Sequence, residues 1–353
     1  MNVVTLIGID PGKHSFHLHA QDAAGRMVFR KKLTRSQLLA QLANVPACTV
    51  VMEACAGAHW VARRLAALGH TARLISPQFV KPFVQGNKND FNDAQAICEA
   101  ASRPSMRFVT PRNEAQQTLS ALHRVREGLV RQRTAATNQI HAFLLEFGIS
   151  LPKGPAIIKR LPAVLALHPD LPVRLVAVLE RLRAHFTYLD EQITEVEREL
   201  AQQLKEDESS QRLLEIPGIG PITASALSIE LGDARQFGSS RQFAASLGLV
   251  PRQYSTGGKP TLLGISKRGD KNLRRLLVQC ARVLMLRIDK REDSLGLWVR
   301  DLLTRRHSNV VACALANKLA RIAWAILAKG THYQSDPAVS GKRRPCPVLI
   351  PFL

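Results

Sequence analysis

Four acidic side chains in the first third of the chain lie where carboxylates could act together. Asp10 ends the apolar run LIGID, Glu53 ends VVME, and Asp90 and Asp93 are three residues apart in KNDFNDA. A spacing of three places Asp90 and Asp93 on one turn of a helix. Magnesium binds proteins through a few carboxylates plus substrate phosphates, and paired ions can clamp both oxygens of a phosphodiester under attack. The four acids therefore predict a magnesium site for phosphodiester chemistry.

Each acid also has a simpler structural explanation. Asp10 precedes Pro-Gly and could be a turn residue, and Asp90 or Asp93 could only cap a helix. Glu53 is harder to explain in this way, because a carboxylate after a buried strand is costly unless it is paired or metal-bound. Taken as a set, two strand ends and one helix start favour the metal site.

Three histidines follow Asp10 closely along the chain. His17 and His19 alternate along a predicted strand and share one face of it, whereas His14 falls in the turn before that strand. This pattern does not place the three imidazoles around one point. We therefore expect no metal role for them.

A second group of residues suited to phosphate chemistry lies late in the chain. Ser255 and Thr256 precede two glycines in QYSTGGK. Nearby cations could stabilise charge on a transferring phosphoryl group, although a serine hydroxyl needs activation to be a nucleophile. The stretch lacks the GxxxxGK[ST] spacing, so nucleotide hydrolysis is not expected. The alternative is a flexible loop that contacts phosphate without covalent chemistry.

The segment IPGIGPITASAL predicts a helix-hairpin-helix, a motif that contacts the DNA backbone. Its glycines could expose backbone N–H groups at a helix N-terminus, and the alternative is a plain turn between two helices. The predicted nucleic-acid-binding residues are Gly218, Gly220, Arg252, Lys259, Lys267, Arg268, Lys271, Arg274 and Arg275.

Apolar and turn patterns predict the elements that position these residues. Before residue 103 the order is β-β-β-α-β-α-β-α, the order of an RNase H-like fold. Helical periodicity covers 114–147 and 171–205. These two long helices could pack on each other or form an intermolecular coiled coil, and the pattern does not decide between them. A basic helix is predicted over 270–287.

Charge is divided unevenly along the 353 residues, which carry a formal net charge of +21. Residues 1–112 carry 14 basic and 6 acidic side chains, residues 113–250 carry 15 and 16, and residues 251–353 carry 20 and 6. Such an excess argues against an ordinary metabolic enzyme and favours nucleic acid as partner. No signal peptide or uninterrupted apolar span is recognisable, so a membrane partner is not expected.

Six segments together carry a family resemblance: LIGIDPGK, VVMEACAG, KNDFNDAQAICEA, IPGIGPITASAL, FAASLGLVPRQYSTGGK and LGISKRGDKNLRRLL. In this order they resemble the IS110/IS1111 family of insertion-sequence transposases, over nearly the whole chain. The resemblance implies a RuvC-like domain, a coiled-coil middle and a mainly helical transposase domain. The domains expected are 1–112 (RuvC-like), 113–210 (helical linker), 211–330 (transposase domain with the helix-hairpin-helix) and 331–353 (basic, Pro-rich tail).

The resemblance also implies a mechanism. The acidic tetrad would bind Mg²⁺, and Ser255, or its neighbour Thr256, would form a covalent phosphoserine-type link to DNA. A structured noncoding bridge RNA would pair with donor and target DNA, and a homo-oligomer, dimer or tetramer, would combine the acids of one chain with the serine of another. The expected location is the bacterial cytoplasm, at the nucleoid.

Two other functions fit the same residues. A RuvC-like junction nuclease would use the acids to activate water, with Ser255 as an ordinary loop residue. A non-catalytic nucleic-acid-binding protein would keep the fold without the chemistry, although four intact acids argue against it. A covalent protein–DNA link distinguishes the recombinase from both.

Overall fold

The computed structural model describes residues 3–87 and 89–335, and the chain divides into two compact units, 1–117 and 118–353. Most of the predicted basic tail, from residue 336 onwards, lies outside the described residues. The finer division into four domains stays a prediction.

The first unit follows the predicted order of strands and helices, with a two-residue strand added at its end. Its elements are β1 (Leu6–Pro11), β2 (Ser15–Gln21), β3 (Met27–Thr34), α1 (Arg35–Ala43), β4 (Thr49–Glu53), α2 (Ala58–Ala67), β5 (Thr71–Ile75), α3 (Pro77–Val80), α4 (Asp90–Ala101) and β6 (Phe108–Val109). A 3₁₀ turn, Lys81–Phe83, follows α3.

Within the described residues these strands form one mixed sheet in the order β3-β2-β1-β4-β5-β6. β4 runs parallel to both β1 and β5, whereas β2, β3 and β6 are antiparallel to their neighbours. A mixed sheet of this kind is consistent with the RNase H-like expectation. Because β1 and β4 are parallel neighbours, their carboxyl ends, with Asp10 and Glu53, meet at the same edge.

Strand alternation gives this sheet two different faces. Ile7 and Ile9 of β1 belong to a core formed with α1 and α2. On the opposite face, Val51 and Ile75 pack with residues of α4. Asp10 is on the same face of β1 as Gly8, which α4 approaches closely. The sheet and α4 therefore enclose the region around Asp10.

The second unit is mainly helical in its described part. The elements from residue 114 onwards are α5 (Glu114–Leu145), α6 (Ala156–Lys159), α7 (Leu161–Ala166), α8 (Val173–Glu206), α9 (Glu208–Leu214), α10 (Pro221–Leu231), α11 (Ser240–Ser246), β7 (Pro251–Thr256), β8 (Lys259–Ile265), α12 (Lys271–Met285), α13 (Ser294–Leu303) and α14 (Ser308–Lys329). The first of these, α5, begins in the last residues of the first unit.

The two long helices, α5 and α8, pack on each other in an antiparallel manner. Arg126 Nε donates to Glu197 Oε1 at 2.7 Å, and Arg133 pairs with Asp190 further along α5. An apolar cluster that includes Ile140 of α5 and residues of α6, α7 and α8 closes one end. Of the two arrangements left open by the periodicity, packing within the chain is present in the structure.

Helices α9 to α14 share a second, larger apolar core. Among the described residues, α14 is the one helix long and apolar enough to cross a membrane. Its apolar side, including Leu315, Leu319 and Ala323, is completely buried in this core. The helix is therefore explained as the central core helix of the second unit.

Candidate active site

The candidate active site begins with a cross-strand pair on the inner face of the first unit's sheet. Asp10 lies within β1 rather than in a turn, and its partner across the antiparallel ladder is His17 of β2. The chain reverses between them, where the Gly12 N–H donates to the Ser15 carbonyl at 2.9 Å. Residues directly opposite each other in antiparallel strands point to the same face. The short turn after Asp10 thus places an imidazole beside its carboxylate.

Gly8 allows α4 to lie directly on this face. A Cβ atom at position 8 would lie 2.3 Å from the Ala94 carbonyl oxygen and 2.7 Å from the Cys98 sulfur. Contacts this short would force the helix away, because packed interiors have little free space. The glycine therefore brings the first turn of α4, with Asp90 and Asp93, next to Asp10.

The acids of α4 are not needed to cap the helix. Asn89 is the N-cap, and its side-chain oxygen accepts a hydrogen bond from the Phe91 N–H at 2.9 Å. Asp90 and Asp93 lie in the first turn, where negative charge is favoured by the helix dipole. Their carboxylates are thus available for another purpose.

Three of these side chains converge closely. One ligand atom each from Asp10, His17 and Asp90 lies within 4.8 Å of the other two. His17 Nδ1 is 3.4 Å from Asp90 Oδ2, and the imidazole meets the Phe91 ring edge-on, with centroids 4.9 Å apart. The His17 side chain is only 8% exposed, whereas that of Asp90 is 55% exposed. The group is therefore closed on the sheet side and open to solvent at Asp90.

Glu53 and Asp93 belong to the acidic set because their charges interact with that of Asp10. Burial raises the pKa of the Asp10 carboxyl, the carboxylates of Asp93 and Asp90 raise it further, and His17 opposes the change. Burial likewise raises the pKa of Glu53, with Asp10 and then Asp93 adding to it. These directions mean that negative charge is crowded and only partly compensated. Such a donor set fits a divalent cation, which would relieve the repulsion.

Ser255 lies in the second unit, near the tip of an exposed hairpin formed by β7 and β8. The segment, for which a flexible loop was the alternative interpretation, is a two-stranded ribbon whose turn is Gly257-Gly258, both with positive φ (57° and 76°). This conformation is common to two-residue hairpin turns. The Ser255 hydroxyl accepts a hydrogen bond from Gln253 Nε2 at 2.6 Å. Thr256 follows in the same strand, so its side chain points to the opposite face.

Most of the predicted basic residues are exposed, but one is engaged in holding the backbone. Arg274 Nη1 donates to the Leu247 and Arg268 carbonyls at 2.8 and 3.0 Å. The other six cations are solvent-exposed: Arg252, Lys259, Lys267, Arg268, Lys271 and Arg275. Arg274 therefore supports the loop that carries Lys267 and Arg268.

The predicted helix-hairpin-helix is formed by α9 and α10, and one of its two glycines, Gly218, faces α12. A Cβ atom at Gly218 would lie 3.1 Å from the Cys280 carbonyl oxygen and from Leu284 Cβ. At the start of α10, the Thr223 hydroxyl contacts the Cys280 thiol of α12 at 3.2 Å. Gly218 therefore serves the packing of the hairpin on α12, whereas a Cβ atom at Gly220 would meet nothing within 4 Å, and a phosphate contact there stays a prediction.

Comparisons with known proteins agree in pointing to one family. A DEDD-type family model described as a transposase matches residues 7–149, and the model of the transposase IS116/IS110/IS902 family matches residues 210–295. The transposase for insertion sequence element IS1328 of Yersinia enterocolitica is 65% identical over 328 residues, covering 93% of this chain and 98% of that protein. The transposase for IS1111A of Coxiella burnetii is 42% identical over 337 residues, covering 95% and 92%.

The chain belongs to the IS110/IS1111 family of transposases. The resemblance recognised in the sequence is confirmed. A transposase cuts and rejoins DNA, and this one is accordingly expected to bind DNA. Asp10, Glu53, Asp90 and Asp93 fall within the DEDD match, whose type suggests a divalent metal, and Ser255 falls within the second match.

Two residues of these regions were missed by reasoning from the sequence. His17 is not predicted as part of the acidic site. The sequence shows that it alternates with His19 along a strand, but it does not show that His17 lies opposite Asp10. The tight turn DPGKHS, which fixes that register, was the available signal. Gln253, which holds the Ser255 hydroxyl, has the i,i+2 spacing of one strand face, but the strand itself was not predicted.

Proposed function

We propose that this transposase is a magnesium-dependent, RNA-guided DNA recombinase that uses Ser255 as its nucleophile. The main support is a contrast between two regions of the chain. The acidic side chains already converge in the first unit, whereas the Ser255 hydroxyl is exposed among solvent-exposed cations of the second unit and accepts one hydrogen bond. A hydrolytic enzyme needs only the acids. The exposed serine supports transfer of a strand to the protein.

Asp10, Glu53, Asp90 and Asp93 would hold the metal. When bound, Mg²⁺ would stabilise the negative charge that develops on the phosphodiester. Ser255 Oγ would attack phosphorus and lose its proton, so that an O–P bond to serine forms and the bond to one strand end breaks. That end leaves as a hydroxyl after taking up a proton. A hydroxyl of another strand would then reverse the step and free Ser255.

Arg252 and Lys259 lie on the same hairpin as Ser255 and are exposed. Cations close to a reacting phosphate stabilise its transition-state charge. Lys267 and Arg268 follow the hairpin and would contact phosphates further along the strand. These contacts give affinity without reading bases.

Sequence selection is assigned to a structured noncoding bridge RNA that pairs with donor and target DNA. Support comes from the large positive charge together with the lack of any recognisable base-reading motif in the sequence. Delegating sequence choice to base pairing leaves the protein to bind backbones. The active form is proposed to be a homo-oligomer, at the nucleoid of a bacterial cell, with the four predicted domains as its parts.

The alternative function is a RuvC-like junction nuclease, favoured by the fact that the acidic group is assembled within the first unit alone. The guide is tested by purifying the protein from cells that also express the DNA flanking its gene, and sequencing the bound RNA. One structured RNA from the flank, required for strand exchange in vitro, is the expected result. Random cellular RNA with metal-dependent cutting of junctions would favour the nuclease.

A further inference from the structure

His17 is a nitrogen donor buried inside a site that otherwise offers only oxygen. Its side chain is more than nine-tenths buried, and its Nδ1 atom belongs to the same close group as the carboxylates of Asp10 and Asp90. The proposed tetrad does not include it. Its position requires a role of its own, because a buried imidazole directed at two carboxylates is not explained by core packing.

The His17 ring is held in place from two sides. The ladder sets it opposite Asp10 on β1 and opposite Lys32 on β3. Phe91 of α4 contacts the ring edge-on, with an angle of 81° between the planes. The ring is thus fixed by a strand and a helix, with Nδ1 facing the carboxylates. Such support is typical of metal ligands.

The spacing of the donor atoms suits one shared ion. Two ligands about 2.1 Å from an octahedral ion and at right angles to each other lie about 3 Å apart. His17 Nδ1 and Asp90 Oδ2 are 3.4 Å apart, so a small movement would bring both to coordination distance. Asp10 supplies the third donor within the 4.8 Å limit.

His19, on the same strand face, provides a contrast. Its Nδ1 accepts a hydrogen bond from Arg30 Nε at 3.1 Å, and its Nε2 lies 3.1 Å from Gln21 Nε2. Both ring nitrogens of His19 therefore have neighbours that hold it as part of the strand structure. His17 differs because its nitrogen faces carboxylates.

We infer that His17 is a direct ligand of the divalent metal, coordinating through Nδ1 beside Asp10 and Asp90. This inference rests on the metal site of the proposed function. An imidazole nitrogen is a softer donor than a carboxylate oxygen, and Mg²⁺ prefers oxygen, whereas Mn²⁺ accepts both. The site consequently binds Mn²⁺ more tightly than Mg²⁺, and His17 increases the difference.

Electron spin echo envelope modulation on the full chain loaded with Mn²⁺ tests this directly. The wild-type protein is expected to show coupling of the Mn²⁺ electron spin to a ¹⁴N nucleus, replaced by ¹⁵N coupling when histidine is ¹⁵N-labelled. His17→Gln is expected to abolish the coupling and to weaken Mn²⁺ binding at least about tenfold, with a smaller effect on Mg²⁺ measured by competition. A wild-type spectrum without nitrogen coupling overturns the inference, as does an unchanged His17→Gln spectrum.

Two matched variants keep the result decisive if His17→Gln does not fold. His14→Gln removes an exposed histidine from the preceding turn, and His19→Gln removes the neighbour on the same strand face. The nitrogen coupling must persist in both, and its loss in either assigns the ligand elsewhere. The nitrogen coupling does not depend on Ser255. If the proposed recombinase chemistry proved wrong but the coupling were present, His17 would still be a metal ligand. Covalent chemistry without nitrogen coupling would refute His17 alone.

Discussion

The acidic site and the serine hairpin are built by opposite means. Asp10, His17 and Asp90 are positioned by strand register and by a helix pressed on Gly8, so their geometry depends on the core of the first unit. Ser255 lies on a two-stranded ribbon with almost wholly exposed strands and one side-chain hydrogen bond to its hydroxyl. The proposed metal site is therefore preorganised by folding. The proposed nucleophile would instead depend on the nucleic acid or a partner chain to position it.

The largest expected effect comes from removing the proposed nucleophile. Ser255→Ala should reduce strand exchange by at least about 10³-fold, because loss of a nucleophile removes the covalent route. Binding of DNA and RNA should change little, since the substituted side chain is small and exposed. Strand exchange and filter binding measure the two effects. Thr256→Ala is the matched control, and exchange lost only in that variant would move the nucleophile to Thr256.

The acidic site should respond almost as strongly. Asp10→Asn should lower DNA cleavage at least about 100-fold, because a neutral amide stabilises a divalent ion far less than a carboxylate. Mg²⁺ at ten times its dissociation constant should stabilise the wild type by about 1.4 kcal/mol and so raise its melting temperature. The variant should lose this stabilisation. Differential scanning calorimetry with and without Mg²⁺ measures this. Full metal-dependent cleavage by Asp10→Asn would remove the residue from the site.

Gly8 allows α4 to pack closely against the sheet beside the acidic site. Gly8→Ala should destabilise the first unit by about 1–3 kcal/mol, because its new methyl group would overlap the Ala94 carbonyl of α4. Displacing α4 should also weaken metal binding. Chemical denaturation and Mn²⁺ titration measure the two effects. Gly264→Ala, where a Cβ atom meets nothing within 4 Å, is the control, and equal effects in both variants would contradict the role of close packing.

The exposed cations beyond the hairpin should affect binding more than chemistry. Lys267→Gln combined with Arg268→Gln should weaken DNA binding and reduce the salt dependence, by about 0.9 in the log–log slope for each lost phosphate contact. Binding isotherms at several salt concentrations give the slope. An unchanged slope would mean that these side chains do not meet phosphate.

The smallest expected effect concerns pH. Since the pKa values of Asp10 and Glu53 are raised in the folded protein, the stability they contribute is present at low pH and is lost as pH rises above about 4 through their folded pKa values. Water screens these half-buried groups, so about 1 kcal/mol or less is expected. Melting curves of metal-free wild type and Glu53→Gln should diverge in this range. Parallel curves would show that burial and the neighbouring carboxylates do not raise the pKa of Glu53.

The four acids could be placed from the sequence because each lies at the end of a strand or the start of a helix that the apolar pattern indicates. Asp10 and Glu53 end apolar strands, and Asp90 and Asp93 begin a helix, so their convergence follows from element order. His17 could not be placed in the same way, because a strand register depends on the turn, and a shift of one residue reverses the face. Gly8 gave no signal, since only the tertiary structure reveals which helix approaches it.

The second unit was less predictable for physical reasons. The β7–β8 ribbon buries little apolar surface, so its residues lack the alternating pattern that indicates a half-buried strand. Gly218 and Gly220 suggest a phosphate site, but the glycine pattern does not reveal that Gly218 packs against Cys280 and Leu284 of α12. A glycine-rich turn has the same sequence whether it approaches DNA or another helix.

The most direct test of the central claim is to search for DNA attached to Ser255. The wild-type protein would be incubated with its guide RNA, Mg²⁺ and both DNA partners, stopped in denaturant, digested and analysed by mass spectrometry. A peptide containing Ser255 should carry a nucleotide through a phosphoserine link, and this product should be absent in Ser255→Ala and retained in Thr256→Ala. Cut DNA with free ends and no modified peptide would contradict this prediction and identify the protein as a hydrolytic nuclease.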